Sequence, residues 1–181
     1  MKYFFGFALP EEADSQARMI SEDLVRTFGI RNVFFKHPPH ITLKVPFVGS
    51  VSDRELLIEF MQKFTNGRKA IPVELKRFAH FSIGTIFQDV LEDEESLVVL
   101  QKELCYGLEL IPWITFDTRE PAGQPHVTVG TDDIKGRFKF IHDYVHEKYP
   151  VGISAILTDI HLFQKPPHTE LWESTAVFTL Q

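Results

Sequence analysis

The stretch Pro38-Pro39-His40-Ile41-Thr42-Leu43-Lys44 and its echo Pro125-His126-Val127-Thr128-Val129 decide how this chain is read. In a β-strand, residues i and i+2 point to one face and i+1 and i+3 to the other. His40 and Thr42 therefore share one face while Ile41, Leu43 and Val45 enter the core; His126 and Thr128 likewise share a face backed by Val127 and Val129. An isolated His-x-Thr carries little weight, because 8 His and 12 Thr in 181 residues supply about half an occurrence by chance. Pro-His-aliphatic-Thr-aliphatic is far rarer, and two copies at matching places are not accidental. Histidines held in the core by backbone hydrogen bonds, with Thr present for strand propensity, would account for one copy but not for the pair.

Working outward, both motifs sit in the same sequence of elements. Helical periodicity follows Pro10, with Ala13, Ala17, Ile20, Leu24 and Phe28 on one face and Gly29 as the stop. A second helix starts at Ser52, where Ser52-Asp53-Arg54-Glu55 has the form of a capping box, and ends at Asn66-Gly67. A third runs from about Glu94 through Leu97, Leu100, Leu104 and Leu108, and a fourth covers about Arg137 to Tyr149, stopped by Pro150. Alternating apolar segments at 3–9, 40–48, 71–78, 83–90, 126–131, 153–163 and 171–180 read as strands. The order is β-α-β-α-β over about residues 3–78, the same again over about 83–163, and a closing strand at 171–180. Leu9-Pro10-Glu11-Glu12 also has its echo in Leu91-Glu92-Asp93-Glu94. The expectation is one α+β domain over 1–181, built as two similar lobes about a pseudo-twofold axis, with two antiparallel sheets around a central cleft.

Composition bounds the function. There are 19 Lys+Arg against 25 Asp+Glu, a net charge of -6, with 44% hydrophobic and 24% charged residues. That is an ordinary globular balance, and it argues against coating nucleic acid through bulk charge, which needs many basic phosphate contacts. The single cysteine, Cys105, permits no intramolecular disulfide and no cysteine-based zinc site, so a reducing, cytoplasmic setting is expected. No segment reaches the roughly 18 apolar residues of a membrane span. The first nine residues lack a small-x-small cleavage site and run into Pro10-Glu11-Glu12, so they read as a strand feeding a helix. No Gly-rich phosphate loop or dinucleotide fingerprint is present, and no cofactor, metal or stable protein partner is expected; a monomer is.

If the lobes face each other, the two polar strand faces line opposite walls of one cleft, bringing two imidazoles and two hydroxyls together. Imidazole, with a reference pKa around 6.5, suits acid–base work near neutral pH: one neutral His takes a proton while the other, protonated, gives one. The Thr hydroxyls are placed to bond charged oxygens. Such a clamp fits in-line displacement at phosphorus without a metal. The motifs, their spacing of 86 residues and the duplicated layout resemble the 2H phosphoesterase superfamily, in its branch of 2′-5′ RNA ligase-like cyclic phosphodiesterases. The resemblance implies a bilobal fold and a metal-independent opening of 2′,3′-cyclic phosphates on RNA ends or nucleotides, or the reverse 2′-5′ ligation. It also implies proton donation by His40 and acceptance by His126. A non-catalytic nucleotide-binding module using the same clamp, or a structural protein with a vestigial site, are the competing classes.

Weaker signals surround this core. Period two places Lys44 beside His40 and Thr42, where the second motif has Gly130, so Lys44 is expected to add positive charge to one wall and bind phosphate. His142 and His146 have a metal-chelating spacing but fall on a polar helix face, and Pro166-Pro167-His168-Thr169 imitates the first motif in a turn. His37 is expected on a surface loop, with the cleft mouth as the alternative because it precedes Pro38 and His40, and His80 and His161 lack patterned partners. Arg68-Lys69, Lys76-Arg77, Lys135, Arg137 and Lys139 read as solvated charge. The 17 Phe promise an aromatic core, with Phe47 or Phe81 as candidates to stack on a base.

Overall fold

The computed structural model describes residues 1–81, 84–92, 96–117, 120, 124–131, 136–149 and 152–181. The elements run β1 (Lys2–Ala8), α1 (Glu11–Phe28), a 3₁₀ turn (Val33–Phe35), β2 (His40–Val48), α2 (Asp53–Thr65), β3 (Ile71–Phe81), β4 (Thr85–Leu91), α3 (Ser96–Glu109), β5 (His126–Gly130), α4 (Phe138–Lys148), β6 (Ile153–Leu157), β7 (Asp159–Lys165) and β8 (Glu173–Thr179). Each expected helix is present, and each expected strand except that over 153–163, which is two. The expected starts at Ile83 and Glu94, the echo residue Asp93, the stop Pro150 and the basic residue Lys135 lie outside the described residues.

Local chemistry explains the helix ends. Glu11, Glu12 and Asp14 occupy the first turn of α1, where acidic groups meet the positive end of the helix dipole. Gly29 ends the helix in the left-handed region at φ 64°, its N–H donating to Val25 O at 2.9 Å, a conformation that costs glycine nothing. The capping box expected at Ser52 does not form. Ser52 is itself helical, Asp53 accepts the Ser50 N–H at 2.6 Å, and Glu55 turns to Arg54.

The strands form two antiparallel sheets, ordered β2-β1-β7-β8 and β5-β4-β3-β6. The orders match position by position, as two similar lobes require, but the sheets do not coincide with the sequence halves. β3, from the first half, lies between β4 and β6, while β7, from the second half, lies between β1 and β8. The strand expected over 153–163 divides at Thr158 into β6 and β7, which enter different sheets. One helix of each half is exchanged in the same way: α3 joins α2 on the first sheet, against β2 and β8, and α1 joins α4 on the second, against β5, β6 and β3.

Each layer is sealed by apolar side chains. Ile20 and Leu24 of α1 meet Phe78, Ile86, Val129, Ile141 and Val145 under the second sheet, each aliphatic group contributing roughly 1.5–3 kcal/mol when fully buried. Beside them a buried carboxylate ties α1 to α4. Asp23 Oδ2 accepts from Tyr144 OH at 2.7 Å, Tyr149 OH at 2.7 Å and Lys148 Nζ at 2.8 Å, and Oδ1 accepts from Arg26 at 2.6 Å. Burial alone would raise the Asp23 carboxyl, but these hydrogen bonds overcome it and hold the group well below the usual carboxylate range. A depressed folded-state value means stabilisation that is complete above about pH 4 and is lost as pH falls below it. Asp23→Asn is therefore expected to cost about 1–3 kcal/mol near neutral pH and to flatten the acid limb of stability, read from urea midpoints across that range. An acid limb as steep in the variant as in the parent would refute this role.

Candidate active site

β2 and β5 are the edge strands of their sheets and meet each other across the molecule. Between them lies a cavity of about 890 Å³ whose lining includes His40, Thr42, His126 and Thr128. Both motif strands begin with one burial rhythm, half-buried His, buried aliphatic, half-buried Thr, buried aliphatic. The four site residues are thus brought together on opposing walls.

The two imidazoles are anchored identically. His40 Nδ1 lies 2.9 Å from Pro38 O, and His126 Nδ1 lies 2.7 Å from Gln124 O. A carbonyl oxygen only accepts, so each Nδ1 carries the hydrogen and each Nε2 is left with its lone pair for the cavity. Each ring also rests on two phenylalanines: His40 on Phe4 and Phe163, with centroids 4.8 and 5.9 Å away, and His126 on Phe81 and Phe87, at 5.0 and 4.9 Å. Part of the phenylalanine excess therefore frames the site. Gly6, paired with Thr42, leaves room for this packing, since a Cβ there would stand 2.9 Å from Ile41 O and 3.4 Å from His40 Cδ2.

The surroundings of the two rings differ. His40 has the His37 ring edge-on at 4.8 Å. Burial, His37 and, more weakly, His126 across the cavity push His40 down to about 3, against the hydrogen bond to Pro38. Burial also lowers His126, but there the Gln124 carbonyl and the Asp89 carboxylate oppose it. Asp89 itself is buried at the register position facing His126, and burial raises its carboxyl while Arg77 and His126 pull it down.

Several sequence expectations are corrected. Lys44 does not lie on the cleft wall. The β1–β2 register advances from Gly6↔Thr42 to Phe5↔Lys44, so Leu43 is an extra residue and the bulge turns Lys44 toward the core. Lys44 is 0% exposed; its Nζ donates to Thr115 O at 2.8 Å and Glu120 Oε1 at 2.9 Å, with Oε2 at 2.8 Å, and Val45 takes up the lining. His37, in the loop between the 3₁₀ turn and β2, takes the alternative place at the cavity and lines it. Phe47 is buried against Tyr3, Phe5 and Trp113 and cannot reach a base, whereas Phe81 lines the cavity. Alternation and motif spacing gave no sign of Asp89, Gln101 and Glu120, all buried polar groups at or beside the cavity. Among the described residues, no group of three or more His, Cys, Asp or Glu side chains could hold a metal. His142 Nε2 donates to Phe78 O at 3.0 Å, and His168 is exposed in a turn. No helix among the described residues is long and apolar enough to cross a membrane.

Two opposed sheets presenting paired His-x-Thr strands to one cavity define a bilobal phosphoesterase class. The chain belongs to the 2′-5′ RNA ligase superfamily, whose family model matches residues 12–166. It is similar to the crystal structure of TT0787 from Thermus thermophilus, with a TM-score of 0.75 and 15% identity over 99% of this chain and 98% of that one. It is also similar to E. coli LigT complexed with 3′-AMP, with a TM-score of 0.68 and 15% identity over 99% and 97%. A protein of Geobacillus sp. (strain WCH70), to which phosphoesterase activity is ascribed by name only, is 28% identical over 96 residues, about half the length (52%) of each chain.

Proposed function

We propose that this chain opens 2′,3′-cyclic phosphates, on RNA ends or on nucleotides, by acid–base catalysis with His40 and His126. The observation that carries this reading is the matched anchoring of both imidazoles, each with Nδ1 tied to the carbonyl two residues before it and Nε2 left for the shared cavity. One neutral ring takes the proton of the attacking water, and the opposite, protonated ring gives a proton to the leaving ribose oxygen. An entering phosphate anion favours the protonated ring, offsetting part of the effect of burial. Thr42 and Thr128 are placed to donate to the non-bridging oxygens, whose charge grows as the new bond forms. The cavity falls within the size range of small-ligand sites. LigT, a structural neighbour, has been crystallised with 3′-AMP, NADP+ and ATP, which supports a nucleotide-type ligand. With an RNA 5′-hydroxyl in place of water, the same two proton transfers form a 2′-5′ linkage.

The test is hydrolysis of nucleoside 2′,3′-cyclic monophosphates in chelator by the wild type and by Thr42→Val and Thr128→Val. Each hydroxyl bonded to a charged oxygen is worth about 1.5–3 kcal/mol, so each variant is expected to lose about 10- to 150-fold in kcat/KM. Binding of the cyclic nucleotide without turnover would favour the non-catalytic module instead.

A further inference from the structure

Among the described residues, three phenylalanines line the cavity, and their surroundings separate them. Phe81 stacks on Phe87, with centroids 4.3 Å apart and 27° between the planes, and stands edge-on to His126, so it belongs to the support of that imidazole. Phe34 packs on the main core, with the Arg18 guanidinium 6.0 Å from its ring and the His37 ring edge-on at 6.4 Å. Phe35 is 72% exposed and has no ring contact among the described residues, so both of its faces are open.

A single exposed phenyl ring is ordinary on a protein surface. This one is held in a fixed frame. On its N-terminal side Asn32 Oδ1 accepts the Phe34 N–H at 2.8 Å, and Val33 is buried. On its C-terminal side the Lys36 carbonyl accepts the Trp172 N–H at 2.8 Å, and the Lys36 ammonium pairs with Glu170. The 3₁₀ turn therefore presents Phe35 from backbone that is anchored one residue before it and one after it. Only two side-chain torsions remain to be ordered by a ligand, which keeps the entropic cost of using the ring low. Two residues further on, the His37 ring touches His40 with centroids 4.8 Å apart. Two steps of chain span at most about 7 Å, so this uncovered aromatic face stands beside the wall that carries His40. A cyclic phosphate held between the two histidines carries its base on the opposite side of the ribose, where the base needs an apolar surface at the edge of the cavity.

We propose that Phe35 is the nucleobase platform of this site, stacking on the base of the nucleoside whose 2′,3′-cyclic phosphate lies between His40 and His126. The inference rests on the cyclic-phosphate reading and extends it to specificity. A phenyl face senses the area of a π surface and not the hydrogen-bonding edge of a base, so every base is accepted, purines ahead of pyrimidines. Sugar cyclic phosphates without a base lose this contact and are held weakly.

The experiment compares the wild type with Phe35→Ala, Phe35→Leu and Phe35→Trp on adenosine and uridine 2′,3′-cyclic monophosphates and on the base-free methyl riboside 2,3-cyclic phosphate. Phe35→Ala is expected to raise KM for the adenosine substrate about 5- to 150-fold, the range for losing one base from one aromatic ring. Its kcat should change little, because stacking holds substrate and transition state alike. Phe35→Leu keeps apolar bulk without a flat face and should behave as alanine does, whereas Phe35→Trp should bind at least as tightly as the wild type. The preference for adenosine over uridine should vanish in Phe35→Ala. Removing the base and removing the ring should not add: the wild type already shows the raised KM on the base-free substrate, and Phe35→Ala brings no second loss of that size. A merely structural role would lower kcat on all three substrates and be rescued by leucine. That pattern, or an unchanged KM in Phe35→Ala, overturns the inference. The same loss is expected with a short oligoribonucleotide ending in adenosine 2′,3′-cyclic phosphate; a loss confined to the oligonucleotide would put the ring under a neighbouring base and overturns it too. Equilibrium binding of adenosine 3′-monophosphate to the same variants reads the platform without turnover. A wild type that binds this nucleotide through Phe35 but opens no cyclic phosphate overturns the proposed activity and leaves the platform in place.

Discussion

Replacing either His40 or His126 is expected to lower turnover of a nucleoside 2′,3′-cyclic monophosphate by about 10²–10⁴-fold, the usual worth of one positioned proton transfer. Glutamine is the better replacement. It retains an amide near each anchoring carbonyl, and it leaves a smaller hole against Phe4 and Phe163 or Phe81 and Phe87 than alanine would. The two losses should not add, because acid and base act in one transition state; the double variant is expected close to the worse single one. Steady-state rates in chelator, with urea midpoints to show that each variant is folded, check this. A folded His40→Gln or His126→Gln enzyme that retains full turnover would remove the two-histidine mechanism.

The largest effect on stability is expected at Lys44. Lys44→Met leaves the Glu120 carboxylate, 1% exposed, without its cation. The Asp117 N–H would remain as a donor to Glu120 Oε1 at 2.6 Å. Removing one partner of a buried pair typically costs about 3–5 kcal/mol, whereas replacing both by neutral groups can be close to neutral. Lys44→Met alone should therefore lower the urea midpoint sharply, and Lys44→Met with Glu120→Gln should recover most of it. Equal loss in the single and double variants would mean that packing of the Lys44 stem between Phe47 and Phe116, not charge, is what the site loses. Since Glu120 lines the cavity, activity is expected to follow stability here.

Lys44 also marks the limit of what could be read from the chain. Alternation places β2 within its observed bounds and puts His40 and Thr42 on one face. The bulge after Thr42 arises from pairing with β1, nearly forty residues upstream, and no local pattern announces it. The same reasoning applies to Asp89, which gains its meaning from a partner on a neighbouring strand, and to Thr158, where one apolar run becomes two strands in different sheets. Periodicity specifies a strand and its buried face but not the sheet it joins, so the lobes were legible as a repeat while the exchange of β3 and β7 was not. For His37 the choice between loop surface and cleft mouth was out of reach for another reason: loop residues carry no period, and its contact with His40 depends on how the 3₁₀ turn directs the chain.

The exchange of β3 and β7 bears on how such a molecule arises. Residues 1–81 supply β1, β2 and β3, but β1 and β3 belong to different sheets, so this segment has no sheet it can complete alone. A second copy would supply the third strand of each sheet: each copy would lend its own to the other, the arrangement of a strand-swapped homodimer. The cavity of that dimer would lie on its symmetry axis, with one histidine from each subunit. Fusion into one chain would free the two copies to diverge, and Asp89 opposite His126 with Ala8 opposite His40 is a difference that no symmetric dimer could have held.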